Sequence, residues 1–219
     1  YQSIFNEENT WSEPEPVSFG DARYTEYRPI LNDENDKLFF ISRRPEPETK
    51  EPVAYGNLWY VQRTNNGWSQ PIFLASVNQK GHDTYPSLTS DGTLYFNSDR
   101  SGGKSSMDIY KSEFIDGEYQ TPVPVSALNS KESENDLVIA PNGHFIIFNR
   151  YIFDSGELDL FISFYENDEW TEPQPLDIIN EKGVFELTPG LSSDLKTFYY
   201  EVNGKVRCIE LDKLLRSVR

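Results

Sequence analysis

Four carboxylates recur at one step of this sequence. Glu26, Asp83 and Glu186 each stand three residues before a proline, at 29, 86 and 189, and Glu134 stands three before Leu137. Set around one axis, they supply the oxygen-rich surroundings that a hard cation such as Ca²⁺ takes. Glu26, Asp83, Glu134 and Glu186 are therefore the candidate metal ligands. Without a cation, like charges brought together raise one another's pKa. The structural alternative is that each carboxylate accepts backbone N–H groups from a connecting turn. Arg43, Arg44, Arg100 and Arg150 follow apolar runs, and Arg100 and Arg150 join the candidate ligand-binding set as a basic lining for an anion. In so acidic a chain, pairing with nearby carboxylates competes with that role. His82, beside Asp83, is the better placed of the two histidines; His144 follows an Asn-Gly turn.

Support for catalysis is thin. No Gly-x-Ser-x-Gly nucleophile elbow is present. Ser101-Gly102-Gly103-Lys104-Ser105 lacks the spacing of a phosphate loop. A carboxylate pair of the kind glycosidases use remains the enzymatic alternative.

The elements that position these residues follow from a repeat. Trp11, Trp68, Tyr119 and Trp170 each precede a proline by three residues, at spacings of 57, 51 and 51. Asn78, Asn129 and Asn180 keep step, as do Asn57, Asp108 and Asp159, which read as turn-capping residues. A period of this length marks a repeated supersecondary unit. In the second copy, strands are expected at 85–89, 93–98 and 107–112, with Asp91-Gly92 and Asp116-Gly117 as tight turns. A fourth strand from Tyr119 carries Pro122 and Pro124, which suit an edge. Four-stranded antiparallel units repeated radially make an all-β propeller. Its blades cover about 24–74, 83–125, 133–176 and 186–211, in one domain spanning 1–219. The last copy lacks a fourth strand, so Trp11–Val17 is expected to complete it and close a four-bladed ring. Residues 1–5 also align with a third strand, which is then surplus. The recurring aromatics are expected to pack between blades.

The run from Asp83 through Tyr85-Pro86-Ser87-Leu88 and Ser90-Asp91-Gly92 to Asn97-Ser98-Asp99-Arg100, with Asp108-Ile109-Tyr110, resembles the TolB-like β-propeller repeat of bacterial envelope proteins, often found beside OmpA-like domains. The resemblance covers roughly residues 24 to 211. The third copy departs at Leu137, and the fourth reads Tyr200-Glu201-Val202 where Ser-Asp-Arg belongs. It implies a propeller in the periplasm or outside the cell, secreted or lipid-anchored, but no single activity.

Bulk properties agree. Twenty basic against 36 acidic residues give a net charge of −16, which disfavours nucleic acid. No apolar run is long enough to span a bilayer. The lone Cys208 forms no intrachain disulfide and reads as a small core residue. The expected role is a monomeric, non-catalytic binding or scaffold module for a protein or a cell-wall glycan; the alternative is a glycan-active hydrolase.

Overall fold

The computed structural model describes residues 1–7 and 9–219. Four antiparallel sheets follow one another around a ring as the blades of a propeller. Blade 1 runs from its inner strand Glu26–Leu31 through Lys37–Ser42 to Asn57–Thr64. Blade 2 is Asp83–Leu88, Leu94–Ser98 and Asp108–Ser112. Blade 3 is Ser133–Ile139, Phe145–Ile152 and Glu157–Glu166. Blade 4 is Glu186–Leu191, Thr197–Val202 and Lys205–Glu210, followed by the helix Leu211–Arg216.

The outer strands are short because proline interrupts them. Trp68 pairs with Arg63, Pro71 breaks the ladder, and Ile72–Phe73 resumes it on Tyr60 and Trp59. Blade 3 repeats this, with Trp170 on Tyr165 and then Gln174–Pro175 on Ile162 and Phe161.

Alternation along the second and third strands sends successive side chains to opposite faces, and the space between blades fills from both sides. Phe39, Ile41 and Leu58 of blade 1 meet Leu94, Phe96 and Tyr110 of blade 2. Tyr95 and Ile109 meet Ile146, Phe148 and Phe161 of blade 3. Phe145, Ile147 and Leu160 meet Phe198, Tyr200 and Val202 of blade 4, where Leu211 and Leu214 of the helix join them. Two of the recurring aromatics sit against such faces, Tyr119 on Phe39 and Trp170 on Tyr95, while Trp68 packs on Phe19 of the segment before blade 1.

The recurring asparagines explain themselves in the same geometry. Asn78 accepts from the Leu58 N–H at 2.8 Å and donates to the Leu58 carbonyl at 2.7 Å. Asn129 does the same to Ile109, and Asn180 to Leu160. Each side chain continues the ladder on the third strand of the preceding blade, beyond the reach of the outer strand.

Two expectations are corrected. The N-terminal strand does not complete the last blade. Residues 11–17 instead pair with 2–5, through Gln2–Glu15 and Phe5–Trp11, and the blade 4 sheet has three strands. A partner a few residues away costs far less loop entropy than one at the other end of the chain. Trp11 therefore stays 69% exposed, packed on Phe5 rather than between blades. Cys208 is exposed and not in the core. It lies on the same face as Val206, whose counterparts by register, Leu58, Ile109 and Leu160, are fully buried between blades.

Candidate functional site at the ring centre

Each predicted carboxylate lies at the start of an inner strand, and in blades 1 to 3 each is met by an arginine of its own blade. Arg44 Nε donates to Glu26 at 2.6 Å, Arg100 Nη2 to Asp83 at 2.6 Å and Arg150 Nε to Glu134 at 2.8 Å. In each case Nη2 also donates to a carbonyl of the preceding linker, on Phe19, Val77 or Leu128; in Arg100 it is the same Nη2 that meets Asp83. Aromatic rings flank the cations, with Arg100 over Phe96 and Tyr110 and Arg150 over Phe148 and Phe161. The linkers add backbone N–H groups from Asp21, Gln79, Ser130 and Glu181 to the four carboxylates. Burial pushes the Asp83 and Glu134 carboxyls up, while Arg100 and Arg150 pull them down.

The carboxylates do not gather around a common cation. Among the described residues no group of three or more His, Cys, Asp or Glu side chains is placed to hold a metal ion. In blades 1 to 3 the arginines and linker N–H groups occupy carboxylate oxygens that Ca²⁺ would need. Arg100 and Arg150 are engaged with these carboxylates and with the linker carbonyls. His82 accepts from the Gly56 N–H at 3.4 Å and packs edge-on to Tyr55.

Glu186 differs from the other three. Val202 stands opposite it, where Arg150 stands opposite Glu134. Its Oε2 is buried without a hydrogen-bond partner. Burial raises its pKa, against the pull of the Glu181 N–H, and the nearby Asp159 and Glu181 charges add to the rise. A carboxyl raised in this way holds its proton in the folded state at pH values where the unfolded chain has lost it. Its contribution therefore falls as pH climbs through that window. Glu186→Gln is expected to raise the unfolding midpoint by a few degrees at pH 7, with the gain shrinking toward pH 4. Thermal melts across that range test this; a loss at every pH would reveal a cation partner for Glu186.

The groups that do converge lie two residues further on. Arg28, Tyr85, Asp136 and Thr188 hold equivalent positions and adopt φ of 56°, 52°, 37° and 50°. Each coincides with a slip in the pairing of its inner strand with the second strand. These are β-bulges, which re-aim a side chain. A left-handed backbone is costly for residues with a Cβ, most of all for β-branched Thr188. Here one residue from every blade joins a chain of contacts. Arg28 stacks on the Tyr85 ring at 4.6 Å and lies 3.7 Å from the Asp136 carboxylate. Asp136 Oδ2 accepts from the Thr188 N–H at 2.9 Å. Burial, reinforced by Asp136, pushes the Tyr85 hydroxyl well up, so it remains a hydrogen-bond donor. Arg28 Nη2 is buried with no hydrogen-bond partner. The cluster thus offers a donor with no hydrogen bond, held only by the long ion pair to Asp136, beside a phenol. Sequence reasoning missed these four because it followed the carboxylates. The available signal was the residue two steps on, which precedes a proline in three of the four copies.

No protein-family model matches the chain. No curated protein matches it either. Solved structures do. TolB from Acinetobacter baumannii shares 16% identity at a TM-score of 0.54, over 88% of this chain and 45% of that one. The periplasmic gluconolactonase PpgL of Pseudomonas aeruginosa shares 15% at 0.54, over 95% of this chain and 62% of its own. A glycoside hydrolase shares 9% at 0.59, over 91% and 73%. This chain spans about half the length of TolB and under two thirds of the gluconolactonase. At such identities the likeness establishes the propeller fold alone.

Proposed function

We propose that this chain is a non-catalytic binding propeller of the bacterial periplasm or cell surface, which engages a protein or a cell-wall glycan at the ring centre. The observation that carries the reading is Arg28 Nη2, buried with no hydrogen bond and held only by the 3.7 Å ion pair to Asp136, within the cluster of Arg28, Tyr85, Asp136 and Thr188. A buried donor without a hydrogen bond is costly, and a ligand carboxylate, hydroxyl or carbonyl would supply the bond that the long ion pair does not. The likeness to TolB and to a periplasmic gluconolactonase supports the location, and the likeness to TolB supports a protein partner. The test is co-sedimentation with peptidoglycan sacculi and capture of envelope proteins, with wild type and Arg28→Ala side by side. Retention should fall at least fivefold in the variant; equal retention sinks the reading.

The enzymatic alternative has one observation in its favour. Glu186 and Asp159 are neighbouring carboxylates, each raised first by burial. Against it, Glu186 is fully buried and so out of a substrate's reach. Steady release of reducing ends from glycans, lost in Asp159→Asn, would establish it.

A further inference from the structure

The ends of blades 1 and 2 remote from Glu26 and Asp83 frame an open groove that the ring centre does not use. Its two lobes, of about 290 and 360 Å³, share Lys37, Phe39, Phe114 and Tyr119. Tyr60 extends the floor in one lobe, and Asp33, Glu34 and Asp91 rim the other. The groove has a cause in the repeat. Tyr119 occupies the step held by Trp68 and Trp170 in the neighbouring copies. Between blades 2 and 3 the Trp170 indole packs against Tyr95 and Tyr165. Between blades 1 and 2 the smaller Tyr119 ring packs against Phe39 and Phe114 and leaves room beside them.

The groove also holds a cation of its own. Lys37 Nζ lies 4.7 Å from the centre of the Phe114 ring, and no carboxylate pairs with it among the described residues. An ammonium is therefore accommodated on this floor, and the acidic rim adds the field that favours one.

We propose that this groove binds an extended segment of a protein partner in which a lysine or arginine neighbours an aromatic residue. The ligand cation replaces Lys37 on Phe114 beneath the carboxylate rim, and the aromatic side chain enters beside Tyr119. Charge decides against a neutral glycan as occupant: the rim is acidic, and the chain as a whole carries −16. The proposal identifies a second contact surface and rests on the binding-module reading only in expecting a protein partner.

The test uses fluorescence anisotropy of a labelled five-residue peptide with lysines flanking one phenylalanine. It should bind, weaken with added salt, and lose roughly tenfold or more when glutamates replace the lysines, the scale of one buried cation–π contact. Tyr119→Trp fills the groove with the residue used at this step elsewhere in the chain. It forgoes the Tyr119 hydroxyl's bond to the Gly92 carbonyl, and should abolish binding while the protein still unfolds cooperatively and retention on sacculi stays unchanged. Lys37→Met, which removes the internal competitor, should tighten binding several-fold. Should Tyr119→Trp not fold, the turn variant Asp33→Asn with Glu34→Gln carries the test, with a loss of roughly fivefold or more expected. Equal binding of the glutamate peptide, indifference to Tyr119→Trp in a folded protein, or displacement of the peptide by an N-acetylglucosamine hexamer overturns the proposal. Failure of the ring-centre reading instead shows in sacculus retention, which these variants leave alone.

Discussion

Arg100→Met is expected to cost about 3–5 kcal/mol, because it strands the buried Asp83 carboxylate without its cation. Arg150→Met should do the same to Glu134. For a chain of this length, each kcal/mol moves the midpoint by about 2–4 °C, so either loss is plain in a melt at pH 7. The deficit should narrow as the solution is acidified. Without Arg100, the Asp83 pKa rises further above its unfolded value, and a protonated carboxyl no longer needs a cation. The double variant Asp83→Asn with Arg100→Met should recover most of the loss, since replacing both partners of a buried ion pair is often close to neutral. A cost below about 1 kcal/mol for Arg100→Met would mean that the pair behaves as a surface bridge.

Asn129→Ala is the second large effect. Asn129 is 5% exposed and supplies the acceptor for the Ile109 N–H at 2.7 Å. The Ile109 carbonyl keeps a bond from the Val125 N–H, so the amide is the group left bare. An unpaired buried donor costs about 1–3 kcal/mol. The loss should appear in urea melts, and hydrogen exchange should speed up at Ile109 first. Unchanged protection at that amide would show that another acceptor had replaced the asparagine.

Much of the framework was legible because its signals are local and repeated. Asp91-Gly92 and Asn142-Gly143 mark inner turns where they occur. The split outer strands follow from proline having no N–H. The placement of Arg150 was less transparent. It stands two residues earlier in its copy than Arg100, by register opposite Glu134 where Ser98 is opposite Asp83, yet its guanidinium reaches the same kind of carboxylate. The central cluster was hidden for a different reason. A residue before proline is steered toward extended backbone, so nothing in Tyr85-Pro86 or Thr188-Pro189 announces a left-handed conformation. Only the packing of four inner strands around one axis imposes it. The paired ends of the N-terminal hairpin escaped because residues 2–5 and the last blade offer 11–17 the same pattern, and proximity decided between them.

The asparagine clamps also fix an order of events. Asn78, Asn129 and Asn180 each belong to the linker that opens a new blade, yet each bonds the third strand of the blade before it. As the chain leaves the ribosome, that strand keeps an unpaired amide until about twenty further residues have emerged, just ahead of the next blade's first strand. Assembly is therefore directional: blades 1 to 3 are each sealed by the linker that leads to the next.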